Sequence, residues 1–351
     1  MPSPAYGWAA PAVKAPLEPF QFQRRDVGDD DVEIKVAFCG VCHSDVHQAR
    51  DEWGGSIFPM VPGHEIVGHV TKVGSKVTKH KVGDTVGVGC MVDSCMHCRQ
   101  CERGVEQYCY DGASFTYNST EQDKKTPTYG GYSDHVVVRE HFVLRVPSNL
   151  DLCGAAPLLC AGATTYSPLK YWGVKKGSRV GVVGLGGLGH MAVKLAHAMG
   201  AEVTVFTRSS KKVAAAKELG AHYVVNTTNE EEIKAIHGKM DVIVDTVGMS
   251  HDLRPYMDAL DVDGKLALVG MPEHEHPPLD PRRMIAFRRC VGGSNIAGIP
   301  ETQEMLDFCG EHNITAVVEK INIDYINEAY ERMLKSDVHY RFVIDLASLK
   351  K

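Results

Sequence analysis

The stretch Arg179–His190, RVGVVGLGGLGH, decides how the middle of the chain folds. A β-branched run, RVGVV, gives way at once to Gly184, Leu185, Gly186, Gly187, Leu188 and Gly189, and a helical pattern, LGHMAVKLAHAMG, follows. Each glycine of a GxGxxG turn has its own task. The first permits a tight turn, the second admits a pyrophosphate close to the backbone, and the third lets helix and strand pack closely. The helix N-terminus adds amide donors for the phosphates. With a strand before and a helix after, the segment reads as a dinucleotide-binding turn rather than a purely structural one.

Outward from this turn the same rhythm repeats. Between residues 152 and 295 the strand-like runs RVGVVG, EVTVFT, YVVN, DVIVDTVG, KLALVG and CVGGSN alternate with helix-like ones. Their nearly continuous apolar character fits a parallel sheet covered on both faces, which predicts a doubly wound α/β domain over 152–295. Gly200 and Gly220 stand where helices stop. Residues 1–151 instead show short β-rich runs (VEIKVAFCG, HEIVGHVTKVGSKV, DTVGVG, YSDHVVV, FVLRV) among turn signals. The tail, 296–351, is too short for a core of its own, so it is expected to return and complete the first domain.

The second strand of the α/β domain bears on the choice of dinucleotide. An NAD enzyme places an acid there for the ribose 2′-hydroxyl; this chain has Thr207, Arg208, Ser209, Ser210, Lys211 and Lys212. Cations and hydroxyls suit a 2′-phosphate, which a carboxylate would repel. NADP(H) is therefore expected.

Two groups of metal-ligand residues lie in the first domain. Cys95, Cys98, Cys101 and Cys109 place four thiols within fifteen residues, the spacing of a closed, structural zinc site. Cys90 and His97 lie near enough to compete as ligands. Earlier, Cys42, His43, Asp45 and His47 follow a strand, and His64, Glu65 and His69 come after Pro62. These are the ligand types of a catalytic zinc with an open position, and spacing alone leaves the choice among the histidines open.

Composition excludes other classes. The 351 residues carry 38 Lys plus Arg against 44 Asp plus Glu, a net of −6, with 44% hydrophobic residues. There is no basic footprint for nucleic acid and no expected membrane span or export signal. Two domains are expected from the length. Eleven cysteines, an odd number clustered in part, point to a reducing, cytoplasmic setting and to metal rather than disulfides.

Taken together, GVCHSDVH, PGHEIVG, the four-cysteine loop, APLLCAGATTYSPL, GLGGLGH, the acid-free second strand and GSNIAG resemble, in order and over nearly the whole chain, the zinc-dependent medium-chain alcohol dehydrogenases. Within these the chain is similar to the NADP-dependent cinnamyl alcohol dehydrogenase-like aldehyde reductases. The resemblance implies a GroES-like β-rich catalytic domain (1–151 with 296–351) interrupted by a Rossmann cofactor domain (152–295), and a homodimer. It implies Cys42, His64 and Cys160 as catalytic zinc ligands, Glu65 as an acid able to approach the metal, and Asp45 as the carboxylate orienting His64. Ser44, where many relatives have Thr, and His47 would relay the alcohol proton. Cofactor contacts would come from Ser44, Thr164, residues 184–189, Thr207, Ser209, Ser210, Lys212, Thr246, Gly270, Ser294 and Ile296, with Arg208 and Lys211 nearby.

The implied activity is interconversion of primary alcohols and aldehydes by hydride transfer at a zinc ion. Trp53 and Met271 are expected to line an apolar substrate pocket that takes aromatic and medium aliphatic aldehydes. Two rival readings are a zinc-free enone or quinone reductase of the same superfamily and a non-enzymatic zinc module. Cys39, Cys90, Cys153, Cys290 and Cys309 have no expected role.

Overall fold

The computed structural model describes residues 3–350, which divide into two compact units, 3–160 with 297–350, and 161–296. The change of sequence rhythm at 151/152 and 295/296 lies nine residues and one residue before these divisions.

The first unit is organised by the strand Asp31–Val41. Along one edge it pairs antiparallel with Ile66–Val73. Its other edge is shared: residues 31–35 pair with His135–Arg139, and residues 38–41 pair with Arg341–Asp345 at the far end of the chain. Strands Thr85–Val88 and Leu144–Arg145 extend the sheet on one side, and Val318–Asn322 lies parallel to Arg341–Asp345 on the other. The tail thus returns into the first unit. Its helices are Ile299–His312 and Ile326–Leu334. Elements with no counterpart in the sequence reading include the ribbon Ser3–Ala9 with Glu18–Arg24, the ribbon Met91–Asp93 with Ser114–Phe115, and the strand Val318–Asn322. The run FVLRV yields only Leu144–Arg145, because Glu140–Phe142 winds into a 3-10 turn.

The second unit is a six-stranded parallel sheet in the spatial order Tyr223–Asn226, Glu202–Thr207, Arg179–Val183, Met240–Asp245, Leu260–Leu268, Cys290–Gly293. Numbered along the unit this is 3-2-1-4-5-6, the doubly wound order whose reversal lies beside its first strand. Val183, Phe206, Ile243 and Leu266 share one buried cluster on a face of this sheet. Gly200 (φ +80°) and Gly220 (φ +109°) close their helices in the left-handed region.

Phe342, Val343 and Ile344 are completely buried in the returning strand. At about 1.5–3 kcal/mol each, their burial is comparable to the whole stability of a domain. Deleting residues 340–351 is therefore expected to send most of the protein to the insoluble fraction; a soluble yield and melting temperature equal to the parent's would contradict this role.

Candidate active site and metal centres

The strand Asp31–Val41 ends at Cys42, and the helix His43–Ala49 begins. Asp45 fixes that junction, since its Oδ2 accepts from the backbone N–H of Cys42 at 2.8 Å. The same carboxylate faces the Nδ1 of His64 at 3.2 Å through Oδ1. His64 follows Gly63, whose φ of +103° turns the chain into the strand Ile66–Val73, and its imidazole stacks on Tyr117. Cys160 lies just beyond the 3-10 turn Ala156–Leu159, and its Sγ stands 3.9 Å from that of Cys42.

Ligand atoms of Cys42, His64, Glu65 and Cys160 all fall within 4.8 Å of one another, and all four residues are buried. A tetrahedral zinc with Zn–S distances of ~2.3 Å requires sulfurs ~3.8 Å apart, so the donor set and its spacing fit the ion. The proton inventory fits too. The contact with the Cys160 thiol, together with nearby Arg341, holds Cys42 well below the usual thiol range against its burial. Burial opposes a charge on His64, yet Asp45 more than offsets it. Burial raises the Glu65 carboxyl to about 8 despite the ion pair of its Oε1 with Arg341. The other oxygen, Oε2, is buried without a hydrogen-bond partner, pointing to Gly40, where a Cβ would strike it.

Ser44 Oγ is 3.6 Å from Cys42 Sγ, and His47 lies three residues along the same helix. His47 Nδ1 meets Glu52 at 2.5 Å, and Trp53 stacks on the imidazole at 4.8 Å. His43 and His69 are not brought to the cluster: Nδ1 of His69 faces Thr85 Oγ1.

The four thiols of Cys95, Cys98, Cys101 and Cys109 also gather within 4.8 Å, with Sγ separations of 3.8 Å for Cys95–Cys101 and 3.5 Å for Cys98–Cys101. The backbone N–H groups of Tyr110 and Cys101 draw Cys98 down to about 6, while burial pushes Cys101 up to about 12. Cys90 is not in this cluster; its thiol interacts with Cys160. His97 instead approaches Asp111 and accompanies Cys95 on the exposed side.

In the second unit the residues expected at the cofactor cluster at the C-terminal ends of the parallel strands. Gly184 has φ +85°, a Cβ on Gly189 would collide with the Gly184 carbonyl, and a Cβ on Gly186 would meet nothing within 4 Å. That open space over Gly186 is the approach a pyrophosphate requires. Thr246 donates to the Val183 carbonyl at 2.7 Å, and Lys212 donates to the Leu185 carbonyl at 3.0 Å. The ammonium of Lys212 therefore lies on the glycine turn itself. Thr207 is buried at its strand end, whereas Arg208, Ser210 and Lys211 are exposed. Gly270 abuts Val247, and Ser294 donates its N–H to Leu268. Thr164 is buried in the helix Ala161–Tyr171, which packs on the helix Gly187–Ala198. Met271 is 57% exposed within its unit.

The sequence reading missed Arg341, Glu52, Tyr117 and Tyr132. Arg341 and Tyr132 are carried by segments remote from the motifs, with no local spacing signal; Glu52 stood in plain sight five residues after His47.

Comparison with known proteins agrees with this geometry. Residues 28–148 match the family described as alcohol dehydrogenase GroES-like domain, and residues 187–311 that described as zinc-binding dehydrogenase. Aldehyde reductase YahK of Escherichia coli (strain K12) is 54% identical over 339 residues, 96% of this chain and 97% of its own. A cinnamyl alcohol dehydrogenase structure from Sorghum bicolor superposes with a TM-score of 0.96 at 46% identity, over 99% of both chains. The structure of a Helicobacter pylori CAD complexed with NADP(H) superposes with a TM-score of 0.93 at 43% identity, over all of both chains. The chain belongs to the zinc-binding alcohol dehydrogenase family, built of a GroES-like domain and a Rossmann-type domain.

Cys101→Ser is expected to lower the zinc content from two ions per chain to one and to depress the melting temperature by several degrees. Elemental analysis of purified protein checks this; two ions retained at an unchanged melting temperature would contradict the four-cysteine site.

Proposed function

We propose that this protein is an NADP(H)-dependent zinc alcohol dehydrogenase that interconverts aldehydes and primary alcohols. The observation that carries the reading is the buried Cys42, His64 and Cys160 triad at zinc spacing, with Ser44 at its side. Its catalytic unit is 1–160 with 297–351 and its cofactor unit 161–296. When bound, zinc supplies a Lewis acid for the carbonyl oxygen and the nicotinamide supplies hydride.

The chain's own residues do the rest. Cys42, His64 and Cys160 hold the metal, and Asp45 keeps the His64 imidazole turned toward it. Glu65, ion-paired with Arg341, would stand beside the ligands as an acid able to approach the metal. Ser44 would donate the proton to the substrate oxygen, and His47 would restore it. Glu52 and the stacked Trp53 hold the His47 ring in place, so Trp53 serves the relay as well as the expected pocket wall. Residues 184–189 receive the pyrophosphate. Thr207, Ser209, Ser210 and Lys212, with Arg208 and Lys211 beside them, receive the 2′-phosphate, and Thr164, Thr246, Gly270, Ser294 and Ile296 frame the remainder. Met271 contributes to an apolar pocket that favours aromatic and medium aliphatic aldehydes. The four-cysteine loop holds the structural zinc.

NADPH oxidation followed at 340 nm with benzaldehyde is expected to exceed the NADH rate at least tenfold. Cys42→Ala should abolish turnover while leaving NADPH binding intact. Zinc-independent turnover, or full activity in Cys42→Ala, would favour a zinc-free reductase instead.

The enzyme is read further as a cytoplasmic homodimer. The outer edge of Cys290–Gly293 pairs with no other described strand; Ile285 and Phe287 are exposed just before it in the chain, and exposed Val262 adjoins Asp263, whose N–H donates to the Phe287 carbonyl. Such an apolar, open edge is a natural place for a second copy. Light scattering is expected to give twice the 38.4 kDa chain mass, and a monomer at micromolar concentration would refute it.

A further inference from the structure

The Asp45 carboxylate is completely buried and has four partners. Oδ1 accepts from the Gly63 N–H and faces His64 Nδ1, each at 3.2 Å. Oδ2 accepts from the Cys42 N–H at 2.8 Å and from the Tyr132 hydroxyl at 3.2 Å. Three of these partners are the metal-ligand residues themselves or the residue beside one. Tyr132 is the outsider, 87 residues along the chain and itself completely buried.

Everything around Tyr132 fixes that hydroxyl. The N–H groups of Gly130, Gly131 and Tyr132 donate to the carbonyls of Val61, Gly63 and Pro62 at 2.7–3.0 Å, lacing the loop to the segment that leads into His64. From behind, the buried Arg24 guanidinium donates to the carbonyls of Tyr129, Gly130 and His135 and to Ser133 Oγ, at 2.6–3.0 Å. The ring occupies the space left by Gly63, where a Cβ would stand 2.7 Å from Tyr132 Cδ1. Two other buried tyrosines stand close by, Tyr117 toward Asp45 and Tyr330 toward Tyr132, but the hydroxyl that meets hydrogen-bond geometry with the Asp45 carboxylate is that of Tyr132.

We propose that Tyr132 is a positioning residue of the catalytic metal site, its hydroxyl holding the Asp45 carboxylate in the orientation that aims His64 at the metal. This rests on the ligand assignment proposed above. Two oxygens of one carboxylate are then pinned from opposite sides, Oδ1 by the His64 segment and Oδ2 by the Cys42 turn and Tyr132. Without the hydroxyl, Oδ2 keeps a single donor, and the imidazole loses a rigid backstop. Partners that orient a metal-bound histidine are worth roughly 10–100-fold in metal affinity or activity when removed.

The test is Tyr132→Phe in the zinc-loaded enzyme, with Tyr256→Phe, a buried tyrosine of the second unit, as the matched loss of a hydroxyl. Chelator-driven release of the catalytic zinc is expected to be about tenfold faster in Tyr132→Phe. The visible spectrum of cobalt placed in the catalytic site should shift, kcat should fall more than the KM for NADPH rises, and Tyr256→Phe should keep the parental release rate and spectrum. The four-cysteine zinc, released at the parental rate, reports that the fold is intact. A parental release rate and cobalt spectrum in Tyr132→Phe, or equal changes in Tyr256→Phe, overturn the proposal. A parent without a catalytic-site zinc would instead sink the ligand assignment. Should Tyr132→Phe lose both metals through misfolding, 3-fluorotyrosine at position 132 keeps the ring and hydroxyl while changing its donor strength. A shifted cobalt spectrum then supports the role, and an unchanged one overturns it.

Discussion

One strand carries both the fold and the chemistry of the first unit. Asp31–Val41 is held by three partners drawn from the beginning, the middle and the very end of the chain, and the residue that follows it is Cys42. Pairing with Ile66–Val73 brings Glu65 and His64 to the end of the strand, since Cys39 stands opposite Ile66. Pairing with Arg341–Asp345 brings Arg341 to the same end, because Val41 stands opposite Phe342. The register of one ladder thus sets where the ligands and their countercharges meet. A slip of one residue would turn each side chain to the opposite face and separate them.

Buried charge makes this arrangement demanding. Glu65, Asp45 and Arg341 are each at most 3% exposed, and ionised groups in such surroundings are costly unless paired and hydrogen-bonded. Asp45 meets that condition with four partners. Glu65 meets it halfway, with Arg341 on one oxygen and nothing on the other. That carboxyl stands among the gathered ligand atoms of Cys42, His64 and Cys160.

Legibility in the sequence followed the range of the contacts. The glycine turn, the parallel strands and the four-cysteine loop are local patterns, and the structure contains each where the residues indicated it. The acid-free second strand was legible as well, although only the fold shows that Lys212 rests on the carbonyl of Leu185. Cys160 was different. Its apolar surroundings read as core, and its role came from family resemblance, because its sulfur meets that of Cys42 across 118 residues. Arg341 and Tyr132 leave no trace in spacing, since the sheet ladder and the Arg24-braced loop deliver them.

The same difference of range separates the two metal clusters physically. The four thiols of the loop are joined by fifteen residues of chain, so closing that loop costs little conformational entropy and its donors can gather before the rest of the unit is complete. The donors of Cys42, His64 and Cys160 span 42 to 160 and meet through long-range contacts, Cys42 and His64 through the pairing of Asp31–Val41 with Ile66–Val73 and Cys160 with Cys42 across 118 residues. The loop's donors are therefore a local element, while this second group is assembled by the sheet.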